Sequence, residues 1–306
     1  MKLRFLNLER MNIMNKNLDI LMVGHFAKDK LIIDGNEEIC PGGAVYYGAV
    51  VLRRLGLEVG VASRGNPEDY PSLQPLMDMG IEFDLHPAPQ SSGCINIYNS
   101  ADMDHRICKL FGFAGEIPYE DIPDVNAKII AILPIIAGEV SLETLVKLSE
   151  KAPIALDAQG FVRVPDGDDL PFKPWKNMEE CLKHVTFLKV DSAEAEHITG
   201  EKDLEKAAKI LASYGPKEVI VTQKREVLVY ADGKFYRAPF NPKNLSGRTG
   251  RGDTCITSYI GSRIKHDPER SCQIAGIITS MKQEVPGPWN GDIDPERFDP
   301  NIVFGD

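Results

Sequence analysis

The chain has 306 residues, 35 Lys and Arg against 45 Asp and Glu, a formal net charge of −10 and 43% hydrophobic residues. A chain of this length can bury a sizeable core without staples. Its scattered acidic charge is the opposite of the basic footprint that nucleic-acid binders carry, and no run reaches the roughly 18 apolar residues of a membrane span.

The first residues, 1–17, read as a loose leader without an apolar core or cleavage site. Six widely spaced cysteines with no C-x-x-C pair suggest neither zinc nor a disulfide framework, and fit reduced thiols in the cytoplasm. Short continuous apolar runs follow at Ile20–Val23, Val59–Ala62, Ile129–Leu133, Ile154–Leu156, Thr186–Val190 and Val219–Thr222. Continuous rather than alternating runs predict strands buried on both faces. Helical patterns lie between them: Ala44 to Leu55 at 3–4 spacing, Leu142–Lys151 behind a Ser141 cap, and Leu204 to Leu211 behind Asp203. Alternating strands and helices predict one α/β domain over 1–306 with a mostly parallel, doubly wound sheet. Two segments break the rhythm by alternating polar and apolar residues, roughly 30–40 and 93–115, and are expected to form a small β lid.

The strongest chemical signal is Thr249-Gly250-Arg251-Gly252-Asp253-Thr254 ahead of an amphipathic run, Cys255–Ile264. Glycines at a helix start let main-chain N–H groups converge, and the helix dipole adds positive potential. Such a hole suits a phosphoryl group in flight, with Asp253 in the first turn as base for the attacking hydroxyl. Alone, the motif is more often a glycine turn with a favourable Asp. Pro41-Gly42-Gly43 precedes the Ala44 helix and offers backbone against which a small polyol can lie. Asp29, just past the first strand, is placed to accept bonds from hydroxyls of a ligand at the strand ends. Asp191 and Glu194, three apart at a helix start, suit Mg²⁺ held through water, or simply a helix beginning rich in acid. The histidines show no metal-ligand spacing; His25 lies near the expected acceptor site.

These elements, in this order, resemble the ribokinase/PfkB family of carbohydrate kinases over about 270 residues, from the first strand to Pro288. The resemblance implies a three-layer α/β/α fold and ATP-dependent phosphoryl transfer to a sugar, cyclitol or related polyol. It implies Asp253 as catalytic base with Gly250, Arg251 and Gly252 forming the anion hole. Asp29, Gly42 and Gly43 then bind the acceptor, with Tyr47 where many sugar kinases place an Asn. Asp191 and Glu194 serve Mg²⁺ and the phosphates, and Thr222 lies near the nucleotide. A lid of this kind can pair across a homodimer.

Departures from the pattern are informative. Gly247 replaces a usual Asp tied to a metal or monovalent cation, Arg251 a usual Ala, and Asp191 a usual Asn, while Gln223-Lys224 follows Thr222 where a glycine step is common. Leu156 to Arg163 and Ala275 to Pro288 are similar to the myo-inositol-kinase-like or uncharacterised sugar-kinase branch, making a cyclitol the first acceptor to consider, with Arg163 read as a surface residue. The alternatives are a nucleoside kinase of the same family, or a low-turnover sensor on the kinase fold. A dinucleotide G-x-G-x-x-G after the first strand and a G-x-x-x-x-G-K-[ST] loop are both absent.

Overall fold

The computed structural model describes residues 14–99 and 102–305, without the side chains of 102–106. Of the expected leader, residues 1–13 lie outside the described residues; Asn17 opens the first strand. Of the second lid segment, 100–101 lie outside them too.

In chain order the strands are β1 (Asn17–Val23), β2 (Ala27–Ile33), β3 (Asn36–Gly42), β4 (Val59–Gly65), β5 (Glu82–Pro87), β6 (Gly93–Asn99), β7 (Asp102–Gly112), β8 (Asn126–Ile132), β9 (Ile154–Asp157), β10 (Val185–Asp191), β11 (Glu218–Thr222), β12 (Glu226–Ala231) and β13 (Lys234–Pro239). The helices are α1 (Ala44–Arg54), α2 (Gln74–Asp78), α3 (Leu142–Ser149), α4 (Gln159–Val162), α5 (Met178–Leu182), α6 (Ser192–Thr199), α7 (Leu204–Ser213), α8 (Arg251–Ser262), α9 (Pro268–Lys282) and α10 (Pro300–Phe304).

Nine strands form the main sheet in the order β13-β12-β11-β10-β9-β8-β1-β4-β5, parallel from β11 to β5 and antiparallel across β11, β12 and β13. Both faces are covered, which is why the strands read as continuous apolar runs. In β1, Ile20 and Met22 enter the core shared with α1, α8 and α9, while Leu18, Leu21 and Val23 enter the core shared with α3, α5, α6 and α7. The result is the expected three-layer, ribokinase-like arrangement. The two alternating segments form a separate four-stranded sheet, β3-β2-β6-β7.

The caps foreseen from sequence form as drawn. Ser141 Oγ accepts from Thr144 N at 3.3 Å, and Asp203 Oδ1 from Glu205 N at 3.0 Å. β1 pairs in parallel with β4 on one side and β8 on the other, so the chain reverses its winding there. In open α/β sheets the crevice beyond the strand carboxyl ends at such a reversal is where ligands bind. Among the described residues no helix is long and apolar enough to cross a membrane.

Candidate active site

A small cavity of about 60 Å³ opens at that reversal, lined by Asp29, Gly43, Ala44, Tyr47, Cys94, Asn96, Leu133 to Ile135, Asp157, Gln159, Thr249, Gly250 and Asp253. Leu133 to Ile135 continue from β8, Asp29 stands on β2, and Cys94 and Asn96 alternate on β6, so the small sheet supplies one wall. Asp29 is nearly buried, and its Oδ1 accepts from Cys94 N at 2.8 Å, tying the carboxylate to β6. Gly42 does not line this cavity. It leaves the room that Asp29 fills, since a β-carbon there would collide with Asp29 Oδ2. Gly43 lies at the cavity with φ 85°, as the residue before α1.

A larger chamber of about 390 Å³ adjoins it, lined by Tyr98, Gln159, Arg163, Lys189, Asp191 to Ala193, Thr222, Lys224 and Arg248 to Asp253. Gln159, Thr249, Gly250 and Asp253 line both spaces and form the wall between them. Gly250 caps α8 in the left-handed conformation, φ 84°, which glycine adopts without strain. Arg251, Gly252 and Asp253 are the first three residues of α8, where helix N–H groups lack helical partners. The Arg251 amide turns back to Arg248 O at 3.3 Å. Of the Gly250 to Gly252 amides expected to converge, that of Arg251 thus has a main-chain partner within the turn.

Positive charge gathers around this helix end. Arg163, Lys189, Lys224, Arg248 and Arg251 all line the chamber. Arg163, expected at the surface, donates from Nη1 to Leu170 O at 3.0 Å and lies 3.9 Å from the centre of the Phe172 ring. Lys189 was not legible as a site residue. Its ammonium is buried 3.1 Å from the Asp157 carboxylate and 3.7 Å from Glu194, and would stand 3.3 Å from a β-carbon at Gly252. Burial opposes its charge, but these two carboxylates and Asp191 together push its pKa up. It is a cation held beneath the first turn of α8. The LKVD stretch carried a partial signal: a lysine inside a buried strand must find carboxylates.

Asp191 and Glu194 stand together at the start of α6. They form a reciprocal capping box on α6: Asp191 Oδ1 accepts from Glu194 N at 2.8 Å, and Glu194 Oε2 from Asp191 N at 2.7 Å. Glu194 is buried, does not line the chamber, and has a pKa raised to about 8, first by burial and then by Asp191. In this arrangement the Glu194 carboxylate caps the start of α6. Among the described residues no three acidic, His or Cys side chains group as a direct metal site. A hydrated Mg²⁺ needs only one or two carboxylates beside phosphates, and Asp191, which lines the chamber, fits that demand. Thr222, also buried, lines the chamber at the end of β11.

His25 is not an acceptor ligand in this structure. It is fully buried, with Nδ1 2.7 Å from Ser92 Oγ and 3.5 Å from Glu139 Oε2. Glu139 in turn accepts from His25 N at 3.1 Å and from Ile135 N and Ile136 N at 2.8 Å. The group ties the β1 exit, the β8 exit and the start of β6 together behind the small cavity.

A polar cavity and a cationic chamber meeting at the open end of one helix, on this doubly wound sheet, define a ribokinase-like phosphotransferase. Residues 125–288 match the model of the pfkB family of carbohydrate kinases. The chain belongs to that family, and is a kinase. It is 29% identical over 284 residues to the cytidine kinase of Thermococcus kodakarensis, covering 89% of this chain and 97% of that protein. A pyrophosphate-dependent kinase of the ribokinase family, solved as a sulfate complex, is 35% identical with TM-score 0.84, covering 89% of this chain and 98% of that one. A pyrophosphate-dependent kinase of that family complexed with a pyrophosphate analog and myo-inositol is 34% identical with TM-score 0.85, covering 91% and 100%. The ribokinase of Arabidopsis thaliana shares the fold at 15% identity and TM-score 0.72, covering 94% and 98%.

Proposed function

We propose that the protein phosphorylates one hydroxyl of a compact polyol, a cyclitol first, with Asp253 as the base. The observation that carries this reading is that Asp253 lines both the acceptor cavity and the donor chamber. In-line transfer requires the attacking oxygen, the base and the phosphorus to meet at one point.

The acceptor lies among Asp29, Asn96, Asp157 and Gln159, whose acceptor and donor groups suit a ring bearing hydroxyls on every side. Asp253 takes the hydroxyl proton as the oxygen forms its bond to phosphorus. The bond from phosphorus to the leaving phosphate breaks, and the departing charge is met by the α8 turn, Lys189 and the arginines. Asp29 orients the acceptor, and Tyr47 forms the floor against Gly250. Mg²⁺ arriving with the donor phosphates would neutralise part of their charge, held through water by Asp191. Closure of the small sheet over the acceptor excludes water.

ATP is the donor that the family implies. A second reading, pyrophosphate, is favoured by the chamber itself: its lining carries Arg163, Lys189, Lys224, Arg248 and Arg251, and Tyr98 and Ala193 are its only aromatic or aliphatic residues. Cations without an apolar slot suit a short polyphosphate better than a nucleobase. The two similar pyrophosphate-dependent kinases support the same reading.

A matrix of two donors, ATP and pyrophosphate, against cyclitols, hexoses, pentoses and nucleosides including cytidine tests both halves. The expected result is phosphorylation of a cyclitol, faster with pyrophosphate. Turnover confined to nucleosides would overturn the acceptor assignment, and turnover with ATP alone would overturn the second donor reading.

A further inference from the structure

Lys282 ends α9 as one of the largest fully buried side chains, at 1% exposure. A buried ammonium is normally held by carboxylates, as Lys189 is. Lys282 is held differently. Its Nζ donates to the carbonyl of Gly247 and lies 5.1 Å from the centre of the Tyr47 ring. The loop it grips is fixed from the other side as well, because Gly247 N donates to Gln283 O at 2.8 Å. A β-carbon at residue 247 would collide with Val285 O, so only glycine lets the loop pack this closely. Three residues later that loop becomes Gly250, the cap of α8, against which the face of Tyr47 is pressed. Lys282 thus reaches the phosphate-binding turn along two routes, through the Gly247 carbonyl and through the Tyr47 ring.

We infer that Lys282 is a positioning residue that serves as a built-in monovalent cation, holding residues 247–250 and the Tyr47 face so that the first turn of α8 keeps its anion-binding shape. A carbonyl oxygen and an aromatic face are the contacts a potassium or ammonium ion would use, and here a tethered ammonium uses them. The inference rests on the proposed transfer at this site. Its consequence is that turnover is independent of which monovalent cation is in the buffer.

The surroundings also set a pH response. From α8, Asp253 favours the charged ammonium; from α1, Tyr47 faces it with its phenol kept protonated, its pKa raised chiefly by burial. Burial is the larger influence and brings Lys282 down to about 8. The ammonium is therefore present at neutral pH and lost as pH rises through that value, and activity falls with it. Stability moves the other way. The folded protein sheds this proton before the unfolded chain does, so between about 8 and the ordinary lysine value of 10.5 this group's contribution to stability rises with pH.

The test measures wild type, Lys282→Met and Lys282→Ala for kcat and KM from pH 6.5 to 10, in tetramethylammonium, sodium, potassium and ammonium salts, with circular dichroism confirming the fold. Wild type should show one rate in all four salts and a falling limb near pH 8. Lys282→Met, which keeps the packing of the stem, should lose about 10²-fold in kcat, the scale expected when site geometry loosens by an ångström. It should also lose the alkaline limb. Lys282→Ala, which opens space for an ion, should be rescued at least tenfold by ammonium or potassium and not by tetramethylammonium. A folded Met variant with wild-type kcat and pH profile overturns the inference, as does a wild type that requires potassium. Calorimetric titration of both proteins with inorganic pyrophosphate needs no turnover and separates this inference from the function it rests on. Equal affinities in wild type and Lys282→Met count against Lys282 even if every acceptor fails.

Discussion

The ring of Tyr47 lies against Gly250 so closely that a β-carbon on residue 250 would stand 2.5 Å from the ring's Cγ. One residue thus meets two demands, a left-handed backbone at the cap of α8 and contact with an aromatic face. Gly250→Ala should destabilise the protein by about 1–3 kcal/mol, the range for forced backbone strain, and should lower kcat more than it raises acceptor KM, because the turn moves with its cap. A thermal melt with steady-state kinetics checks this. An alanine variant with unchanged melting temperature and kcat contradicts it.

Lys189 predicts a larger stability effect. Removing its charge in Lys189→Met leaves Asp157 and Glu194 buried without their shared cation, a loss of about 3–5 kcal/mol. Urea denaturation at pH 9, where Glu194 is ionised, measures it. The cost should shrink as pH falls below the value of about 8 held by Glu194, because the protonated acid no longer needs a partner. A pH-independent deficit would argue that the three groups are not coupled.

His25 gives the acid response. Burial, then the charge of Arg64, lowers its pKa to about 3, so the unfolded chain takes up a proton below 6.5 while the folded chain does not. Its contribution to stability is complete above pH 6.5 and declines by at most about 1.4 kcal/mol per pH unit as pH falls toward 3. Glu139, pushed up to about 7 by burial, works in the opposite sense between 4.5 and 7 and remains when His25 is replaced. His25→Gln, weaker at pH 7 through loss of the Ser92 bond, should therefore show a shallower decline between pH 6.5 and 4. Parallel urea midpoints across that range would contradict the assignment.

Much of the fold was legible because covering both sheet faces leaves a plain trace, the continuous apolar runs of β1, β4, β8, β9, β10 and β11. β5 was not read: Phe83 and Leu85 alternate with polar neighbours at the sheet edge, where only part of the strand is buried. The β12–β13 hairpin was also passed over, although Asp232 and Gly233, at φ 49° and 75°, are the Asp-Gly pair that such a turn favours. Local motifs pointed to Asp253, Gly250, Asp29 and Gly43, which the fold brings to the small cavity, since each depends on its own turn. Asn96, Lys189, Arg248 and Lys282 escaped notice because their meaning lies in contacts between distant segments. The Asp191–Glu194 spacing was ambiguous for a physical reason: a pair three apart suits a capping box as well as it suits a hydrated metal.

The position of one carboxylate between the two spaces is tested most directly by Asp253→Asn, assayed with the best donor and acceptor pair while acceptor affinity is followed by calorimetry. The side chain keeps its size and loses its capacity as a base, which is worth about 10²–10⁴-fold in general base catalysis. Turnover reduced by that factor or more, with acceptor affinity within a few-fold of wild type, is the predicted result. A variant that turns over at close to the wild-type rate would contradict the account.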